Sequence, residues 1–185
     1  LARAINNLQP SAVFLFEDYT FKDWYRIFGA ENMLNPNVQF AYPKDINWIE
    51  EEMFVRPLHD TKSFNGGVYN KNTITVDVEC VVAPLQKIQK EFRFFVLGGK
   101  IIGQSQYKMA GELFPSSLVD SDAINFAQKM IQLFDYPGYV IDIASTDGKC
   151  SIVELNCFNA SGFYEIDLFS FVDGVNSYYE AKAKK

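Results

Sequence analysis

Hydrophobic and polar positions alternate along much of the chain, and the period of that alternation predicts strands mixed with helices. The segment from Tyr139 to Tyr164 reads YVIDIASTDGKCSIVELNCFNASGFY, which indicates two strands joined by a turn at Asp147-Gly148. Alternate side chains of a strand share a face, so Glu154 and Asn156 are expected to lie on the same face as Ile152. The pattern therefore predicts a carboxylate and an amide side by side on one surface.

The face occupied by Asp142 depends on the register of this predicted hairpin. A two-residue loop at Asp147-Gly148 would pair Asp142 with Val153, and Asp142 would then lie opposite to the face of Glu154. A three-residue loop that includes Lys149 would instead pair Asp142 with Glu154, where like charges are unfavourable unless a positive group lies between them. On one face, these acids and the neighbouring amide would suit Mg²⁺, which prefers hard oxygen ligands. On an ordinary exposed hairpin they would be solvated acids.

Further helices and strands are predicted on both sides of this hairpin. A helix is predicted to begin after Thr20, with Asp23 three residues later, and to end at Gly29. Other helices are predicted over residues 121–134 and 165–179, and strands over 53–56 and within 68–82. The spacing in the last helix predicts that its inward-facing residues are Leu168, Phe169, Val172 and Val175. The apolar stretch at residues 12–16 fits either a strand or the end of a helix.

The clearest hairpin in the sequence is EFRFFVL, Gly98-Gly99, KIIGQSQY. A two-residue loop at the glycines predicts the pairs Leu97 with Lys100, Phe95 with Ile102, Arg93 with Gln104 and Glu91 with Gln106. One face of the hairpin is then apolar near the turn and polar at the open end, where Arg93 lies. An arginine in this position either serves a binding site or forms an ion pair with Glu91 or another surface acid.

A polar, glycine-bearing loop, LHDTKSFNGGVYN, follows the predicted strand at residues 53–56. Its backbone N–H groups and Lys62 could bind phosphate, because both favour anions. The loop lacks the GxxxxGK[ST] pattern, and Asn65-Gly66-Gly67 also fits a plain hairpin turn. The sequence therefore leaves both a phosphate-binding loop and a simple turn open.

Composition limits the class of protein. The chain has 185 residues, of which 48% are hydrophobic and 16% aromatic, enough for one domain or two small lobes with a packed core. The net charge is −6 and the only basic cluster is terminal, so a nucleic-acid partner is not expected. The three cysteines lack metal-site spacing and predict buried thiols in a reducing compartment, consistent with a cytoplasmic protein. No apolar run reaches the roughly 20 residues of a membrane span.

Five motifs occur in a distinctive order: FVRP, DTKSF, EFRFFV, VIDIA and VELNCFNASGFY. Over residues 30–175 this order resembles the ATP-grasp superfamily, in particular the branch from phages and bacteria with two arginines and one lysine in the nucleotide site. The resemblance implies an α+β fold with two lobes of mainly antiparallel sheet with helices and a nucleotide between them. It places an N-terminal part with the phosphate-binding loop at residues 1–82 and the lobe with the metal site at 83–185.

The resemblance also implies roles for particular residues. Arg56 and Lys62 are expected to contact ATP phosphates, and Arg93 to reach the γ-phosphate or an acyl phosphate, with Lys62 and Arg93 catalytic. The expected metal ligands are Asp142, Glu154 and Asn156. The backbone of a connector formed by Val81, Val82 and Ala83 is expected to bind adenine. The loop over residues 156–164, together with Ser105 and Tyr107, is expected to border the acceptor site.

The function implied is an ATP- and Mg²⁺-dependent ligase that joins a carboxylate to an amine through an acyl phosphate. Its substrate would be a small molecule or peptide that carries a carboxylate. Phosphoryl transfer asks a protein mainly for positioning and charge neutralisation, which these residues can supply. Two alternatives stay open: a non-catalytic nucleotide-binding module, and a phosphotransferase that acts on a non-carboxylate acceptor.

Overall fold

The computed structural model describes residues 19–59 and 63–183. The apolar stretch at residues 12–16 and the predicted phosphate ligand Lys62 lie outside these residues. The described chain divides into two units, one before and one after the junction between residues 87 and 88, which lies later in the chain than the predicted boundary after residue 82. Each unit has its own antiparallel sheet. The predicted α+β class is confirmed.

The first unit is built on a four-stranded sheet with the order β1-β4-β2-β3. The strands are β1 (Gln39–Ala41), β2 (Met53–Pro57), β3 (Gly67–Tyr69) and β4 (Cys80–Ala83). Helix α1 (Phe21–Phe28) begins as predicted, because the Asp23 carboxylate accepts hydrogen bonds from both the backbone N–H and the hydroxyl of Thr20. The core of the sheet contains Ile46, Met53, Val55, Cys80 and Val82.

Two sequence predictions in this unit need correction. Much of the segment predicted as strands within 68–82 is not extended, because Asn70 and Thr73 form a hydrogen-bonded turn that ends β3. Gly67 pairs with Val55, so the connection from β2 to β3 runs from residue 58 to residue 66. Asn65-Gly66-Gly67 therefore does not form a plain two-residue hairpin turn.

The second unit contains a five-stranded antiparallel sheet with the order β7-β6-β5-β8-β9. Its strands are β5 (Lys90–Leu97), β6 (Lys100–Met109), β7 (Glu112–Ser116), β8 (Gly138–Thr146) and β9 (Lys149–Asn156). The central strands β5 and β8 are almost entirely buried, because helices pack on the sheet and β-neighbours lie on both sides.

Two helices pack on this sheet, α2 (Ser121–Ile131) and α3 (Leu168–Ala183). Phe134, just after α2, packs on Tyr139, whereas α3 residues pack around Phe95. Tyr139 pairs with Val96 in the sheet, and Val96 and Phe95 point to opposite faces. The two helices therefore cover opposite faces. Within the described residues, no helix is both long enough and apolar enough to cross a membrane.

The face of α3 that packs on the sheet differs from the predicted one. Leu168, Phe169 and Val172 are more than half exposed, and Phe169 is 91% exposed. The helix instead packs through the half-buried residues Phe171, Val175 and Tyr178. The helix is apolar on more than one side, and Gly174 allows this side to approach Ile102 closely, since an added Cβ would lie 2.6 Å from the Ile102 Cγ2 atom.

We expect Phe171→Ala to destabilise the second unit by about 2 kcal/mol, because the Phe171 ring packs on Phe95 at a centroid distance of 5.4 Å. The matched variant Phe169→Ala should change the free energy of unfolding by less than about 0.5 kcal/mol. Hydrogen exchange of β5 amides measures both effects, since Trp24 and Trp48 belong to the other unit and their fluorescence would not report them. Equal effects would contradict the observed orientation of α3.

The register of the β5–β6 hairpin is only partly as predicted. Leu97 pairs with Lys100 across a two-residue turn, which confirms the predicted loop. An irregularity after Phe95 then shifts the register, and a second one follows beyond Arg93. The predicted partners of Phe95, Arg93 and Glu91 are therefore wrong, and the observed partners are Gly103, Ser105 and Lys108, respectively.

The three cysteines are free, which confirms the prediction that they form no disulfide. Cys80 and Cys157 are buried, and Cys150 is half-buried. Burial raises the pKa of both the Cys80 and the Cys150 thiol, because it disfavours the thiolate. These side chains therefore behave as small apolar groups of the packed interior.

Candidate active site

Four polar side chains form one row across neighbouring strands of the five-stranded sheet. Ser105 on β6 pairs with Arg93 on β5, Arg93 pairs with Asp142 on β8, and Asp142 pairs with Glu154 on β9. Residues that pair directly across strands share a face. We call these four residues the polar row. They bring together three of the predicted site residues from segments that are far apart in the sequence.

A β-bulge in β9 decides the register question for Asp142. The turn has two residues, with Asp147 and Gly148 both at positive φ, and it pairs Thr146 with Lys149. The register then shifts, so that Ile143 pairs with Ile152 while Asp142 pairs with Glu154. The predicted metal set therefore shares one face, by a bulge rather than by the three-residue loop. The shift also corrects the prediction that Ile152 lies on the face of Glu154.

Arg93 and Asp142 form a buried, bidentate ion pair. The Arg93 Nε atom donates to Asp142 Oδ1 at 2.8 Å, and Nη2 donates to Oδ2 at 2.7 Å. The Asp142 side chain is 0% exposed and that of Arg93 is 9% exposed. The interpretation of Arg93 as the partner of Glu91 or another surface acid is therefore wrong. A contact of Arg93 with a phosphate remains a prediction.

The charges in this pair depend strongly on burial. Burial raises the pKa of Asp142 to about 6; the Arg93 hydrogen bonds and charge oppose this shift, while the carboxylates of Glu154 and Glu91 add to it. Burial also disfavours the Arg93 cation, but its hydrogen bonds to Asp142 outweigh that effect and raise the pKa of Arg93. Asp142 differs because it is more completely buried and has two further acids nearby.

Glu154 and Asn156 extend the oxygen-bearing surface along β9. The Asn156 Nδ2 atom donates to Glu154 Oε1 at 2.8 Å, which fixes the two side chains relative to each other. No group of three His, Cys, Asp or Glu side chains able to hold a metal ion occurs within residues 19–59 and 63–183. The predicted set has only two acids and completes its ligands with the amide of Asn156. These donors are all hard oxygens and so fit Mg²⁺ in type.

Three residues beside the polar row complete a buried hydrogen-bonded cluster. The Tyr107 hydroxyl donates to Glu91 Oε2 at 2.6 Å and lies 3.3 Å from Asp142 Oδ2, and Lys108 Nζ donates to Glu91 Oε1 at 3.2 Å. Burial, then the acids Asp142 and Glu91, raises the pKa of Tyr107. The sequence analysis gave no role at the site to Lys108. The only signal in the sequence was an acid two residues before Arg93 in a strand of otherwise bulky apolar residues.

The loop after β9 folds back over the polar row, near the predicted acceptor site. The Tyr164 ring stacks on Tyr107 at a centroid distance of 5.2 Å and lies 5.3 Å from the Arg93 guanidinium carbon. The carbonyl of Gly162 accepts a long hydrogen bond, 3.5 Å, from Arg93. Tyr164 has a φ of 52°, an unusual backbone conformation for a bulky residue and one that recurs at functional sites. A role in binding the acceptor remains a prediction.

The remaining predicted residues lie in the first unit, which is considered by itself. The Arg56 guanidinium lies 4.0 Å from the centre of the Phe21 ring, at the end of β2. Val81 and Val82 are not a connector, because they form a strand with neighbours on both sides, β1 and β2. Their backbone groups face other strands, so of the predicted adenine ligands only Ala83, the last residue of β4, keeps a side without a paired strand among the described residues.

The comparisons with known proteins agree with this geometry. A family model described as an ATP-grasp domain, the third family of its clade, matches residues 7–175. The chain therefore belongs to this ATP-grasp family, which confirms the predicted superfamily. None of the curated proteins compared with the sequence matches it significantly.

Several solved structures share the fold at low identity. D-alanine–D-alanine ligase from Bacillus anthracis superposes with a TM-score of 0.60 at 13% identity, covering 83% of this chain and 61% of that one. The ATP-grasp ligase PsnB, complexed with a phosphomimetic variant of its minimal precursor, Mg and ADP, gives 0.64 at 14% identity, covering 92% and 61%. L-amino acid ligase from Bacillus licheniformis gives 0.54 at 12% identity, covering 84% and 44%. The chain thus spans about three fifths or less of the length of these structures.

Proposed function

We propose that this protein is an ATP- and Mg²⁺-dependent ligase that joins a carboxylate to an amine through an acyl phosphate. The observation that carries the proposal is the polar row, which aligns Arg93, Asp142 and Glu154 on adjacent strands. A basic group beside two acids is unusual for a buried sheet face unless the charges serve a site. Family membership and the ligases among the similar folds support the same reaction class.

The residues divide the work of binding and charge neutralisation. Glu154, Asn156 and Asp142 would hold Mg²⁺ through their oxygens, and Arg93 would neutralise charge on the transferred phosphoryl group. Arg56 and Lys62 would bind the nucleotide phosphates, and Ala83 would contact the adenine through its backbone. Bound ATP would supply the phosphoryl group that activates the carboxylate, and bound Mg²⁺ would neutralise charge on phosphate oxygens.

The bond changes balance without a nucleophilic side chain from the protein. A substrate carboxylate oxygen attacks the γ-phosphorus, the bond to the β-phosphate oxygen breaks, and ADP leaves with that electron pair. The amine of the second substrate then attacks the acyl carbon, an amide forms, and phosphate leaves. The amine loses a proton to solvent or phosphate. The protein's contribution is to align these groups and to keep water from the acyl phosphate.

The relatives suggest the substrate class. One similar structure is a ligase complexed with a precursor peptide, and another is an L-amino acid ligase. We therefore propose an amino acid or peptide carboxylate as the group that is activated. Release of ADP and phosphate in step with a new amide would separate this ligase from a phosphotransferase, which would leave a phosphorylated product.

We expect the non-hydrolysable nucleotide AMPPNP to bind at least about tenfold more tightly with Mg²⁺ than with EDTA, since the acids of the polar row repel phosphate until a cation lies between them. Isothermal titration calorimetry measures both affinities. A folded protein, as judged by circular dichroism, that binds no AMPPNP would contradict the proposed function. Metal-independent binding would instead favour a non-catalytic nucleotide-binding module.

A further inference from the structure

A second β-bulge re-aims the end of β6 toward the candidate active site. Gln106 pairs with Phe92 and Lys108 pairs with Glu91, so that Tyr107 is the extra residue between them. Without the bulge, Tyr107 would face Glu91 and Lys108 would lie on the opposite face. The bulge therefore adds a lysine to the face that carries the polar row.

Lys108 is well suited to meet a ligand, whereas Arg93 is already engaged. Arg93 directs two nitrogens at Asp142 and has a 9% exposed side chain. The Lys108 side chain is 39% exposed, and its hydrogen bonds within the described residues all go to the carboxylate of Glu91. An ammonium group has three donors, so at least one remains available to an acceptor from outside.

Glu91 and Tyr107 hold the ammonium group in place. The Glu91 carboxylate is only 7% exposed and accepts both the Tyr107 hydroxyl at 2.6 Å and Lys108 at 3.2 Å. The Lys108 Nζ atom also lies 5.3 Å from the centre of the Tyr107 ring. A lysine on a surface strand normally samples many rotamers, and two partners that restrict it reduce the entropy lost on binding a ligand.

We propose that Lys108 directly binds an anionic oxygen group of a ligand at this site, with Glu91 and Tyr107 as positioning residues. This proposal rests on the proposed function. Two groups have the required chemistry: the terminal phosphate of the nucleotide and the carboxylate of the substrate. Lys108 contributes a charge-assisted hydrogen bond to one of them.

The first arm of the test compares AMPPNP with ADP in the presence of Mg²⁺ by calorimetry. If Lys108 binds the terminal phosphate, Lys108→Met weakens AMPPNP by about tenfold and leaves ADP nearly unchanged. The second arm titrates acetate onto the AMPPNP-loaded protein and follows it by saturation-transfer NMR. If Lys108 binds the carboxylate, the acetate signal is lost in Lys108→Met and both nucleotide affinities are retained.

Matched variants separate direct contact from other effects. Lys90→Met removes a lysine from the neighbouring strand that pairs with Asp120, and it should change neither arm. Lys108→Arg keeps the cation and should retain most of the binding. Lys108→Met combined with Glu91→Gln restores the charge balance; a direct contact predicts that binding stays weak.

Three outcomes would overturn the proposal. Binding equal to wild type in both arms for Lys108→Met would show that Lys108 contacts neither group. Recovery in the double variant would show that Lys108 acts only by neutralising Glu91. A wild-type protein that binds no nucleotide would contradict the proposed function and this proposal together, whereas the first two outcomes contradict the role of Lys108 alone.

Discussion

Replacing Glu154 with glutamine will lower ATP turnover by at least about a hundredfold and leave the fold intact. The substitution removes a negative charge where Mg²⁺ is proposed to bind, and an amide oxygen is a much weaker ligand for a hard cation. The side chain keeps its size. Its oxygen can still accept the hydrogen bond from Asn156, which measures 2.8 Å in the wild type. Glu154 is half-buried on β9, so the change of charge should cost little stability.

The measurement is ADP formation in the presence of Mg²⁺ and a mixture of amino acids and short peptides, which supply both a carboxylate and an amine. Glu112→Gln is the matched control, because Glu112 is exposed on β7 and lies outside the polar row. Wild-type rates for Glu154→Gln would reject Glu154 as a metal ligand. A loss of rate in both variants would indicate a general effect of charge on the protein instead.

The alternation of residues along β9 was enough to predict that Glu154 and Asn156 lie together. It could not place Asp142, because the bulge that brings Asp142 opposite Glu154 adds one residue to a strand without a turn residue to mark it. The same reason hid Lys108, which reaches this face only through the bulge in β6. Period-two reasoning holds between irregularities and reverses the face at each one.

The orientation of α3 shows another limit of pattern reasoning. The helix has apolar residues on more than one side, and the sequence cannot tell which side meets the sheet. Phe171 is selected because it packs with Phe95 and Phe158 at centroid distances of 5.4 and 5.9 Å, contacts between segments distant in the chain. Phe169 is left exposed because it lies two positions away on the helix.

The partner of Arg93 was equally out of reach of the sequence. The polar end of its hairpin indicated a site, but Asp142 lies 49 residues away in the chain and becomes a neighbour only because β8 pairs with β5. The buried pair then raises the question of its cost, since two charges that leave water are stabilised only by each other and by their hydrogen bonds.

We expect Arg93→Met to destabilise the second unit by about 3–5 kcal/mol, because it leaves the Asp142 carboxylate buried without its partner. The double variant Arg93→Met with Asp142→Leu removes both charges and should recover much of this loss. Lys90→Met is the control: it breaks an ion pair with Asp120 that is partly exposed on both sides, so its cost should be below about 1 kcal/mol. Hydrogen exchange of β5 and β8 amides reports the unit concerned.

The loss in Arg93→Met should also depend on pH. Burial already raises the pKa of Asp142 to about 6 in the wild type, well above its value of about 3.9 in an unfolded chain. Between these values the folded protein binds more protons than the unfolded one, so this group's contribution to stability falls as pH rises. Removing Arg93 raises the pKa of Asp142 further and extends that fall to higher pH. Arg93→Met should therefore be less destabilising at pH 5 than at pH 8. An equal loss at both values would mean that Asp142 is not buried as a charge when Arg93 is absent.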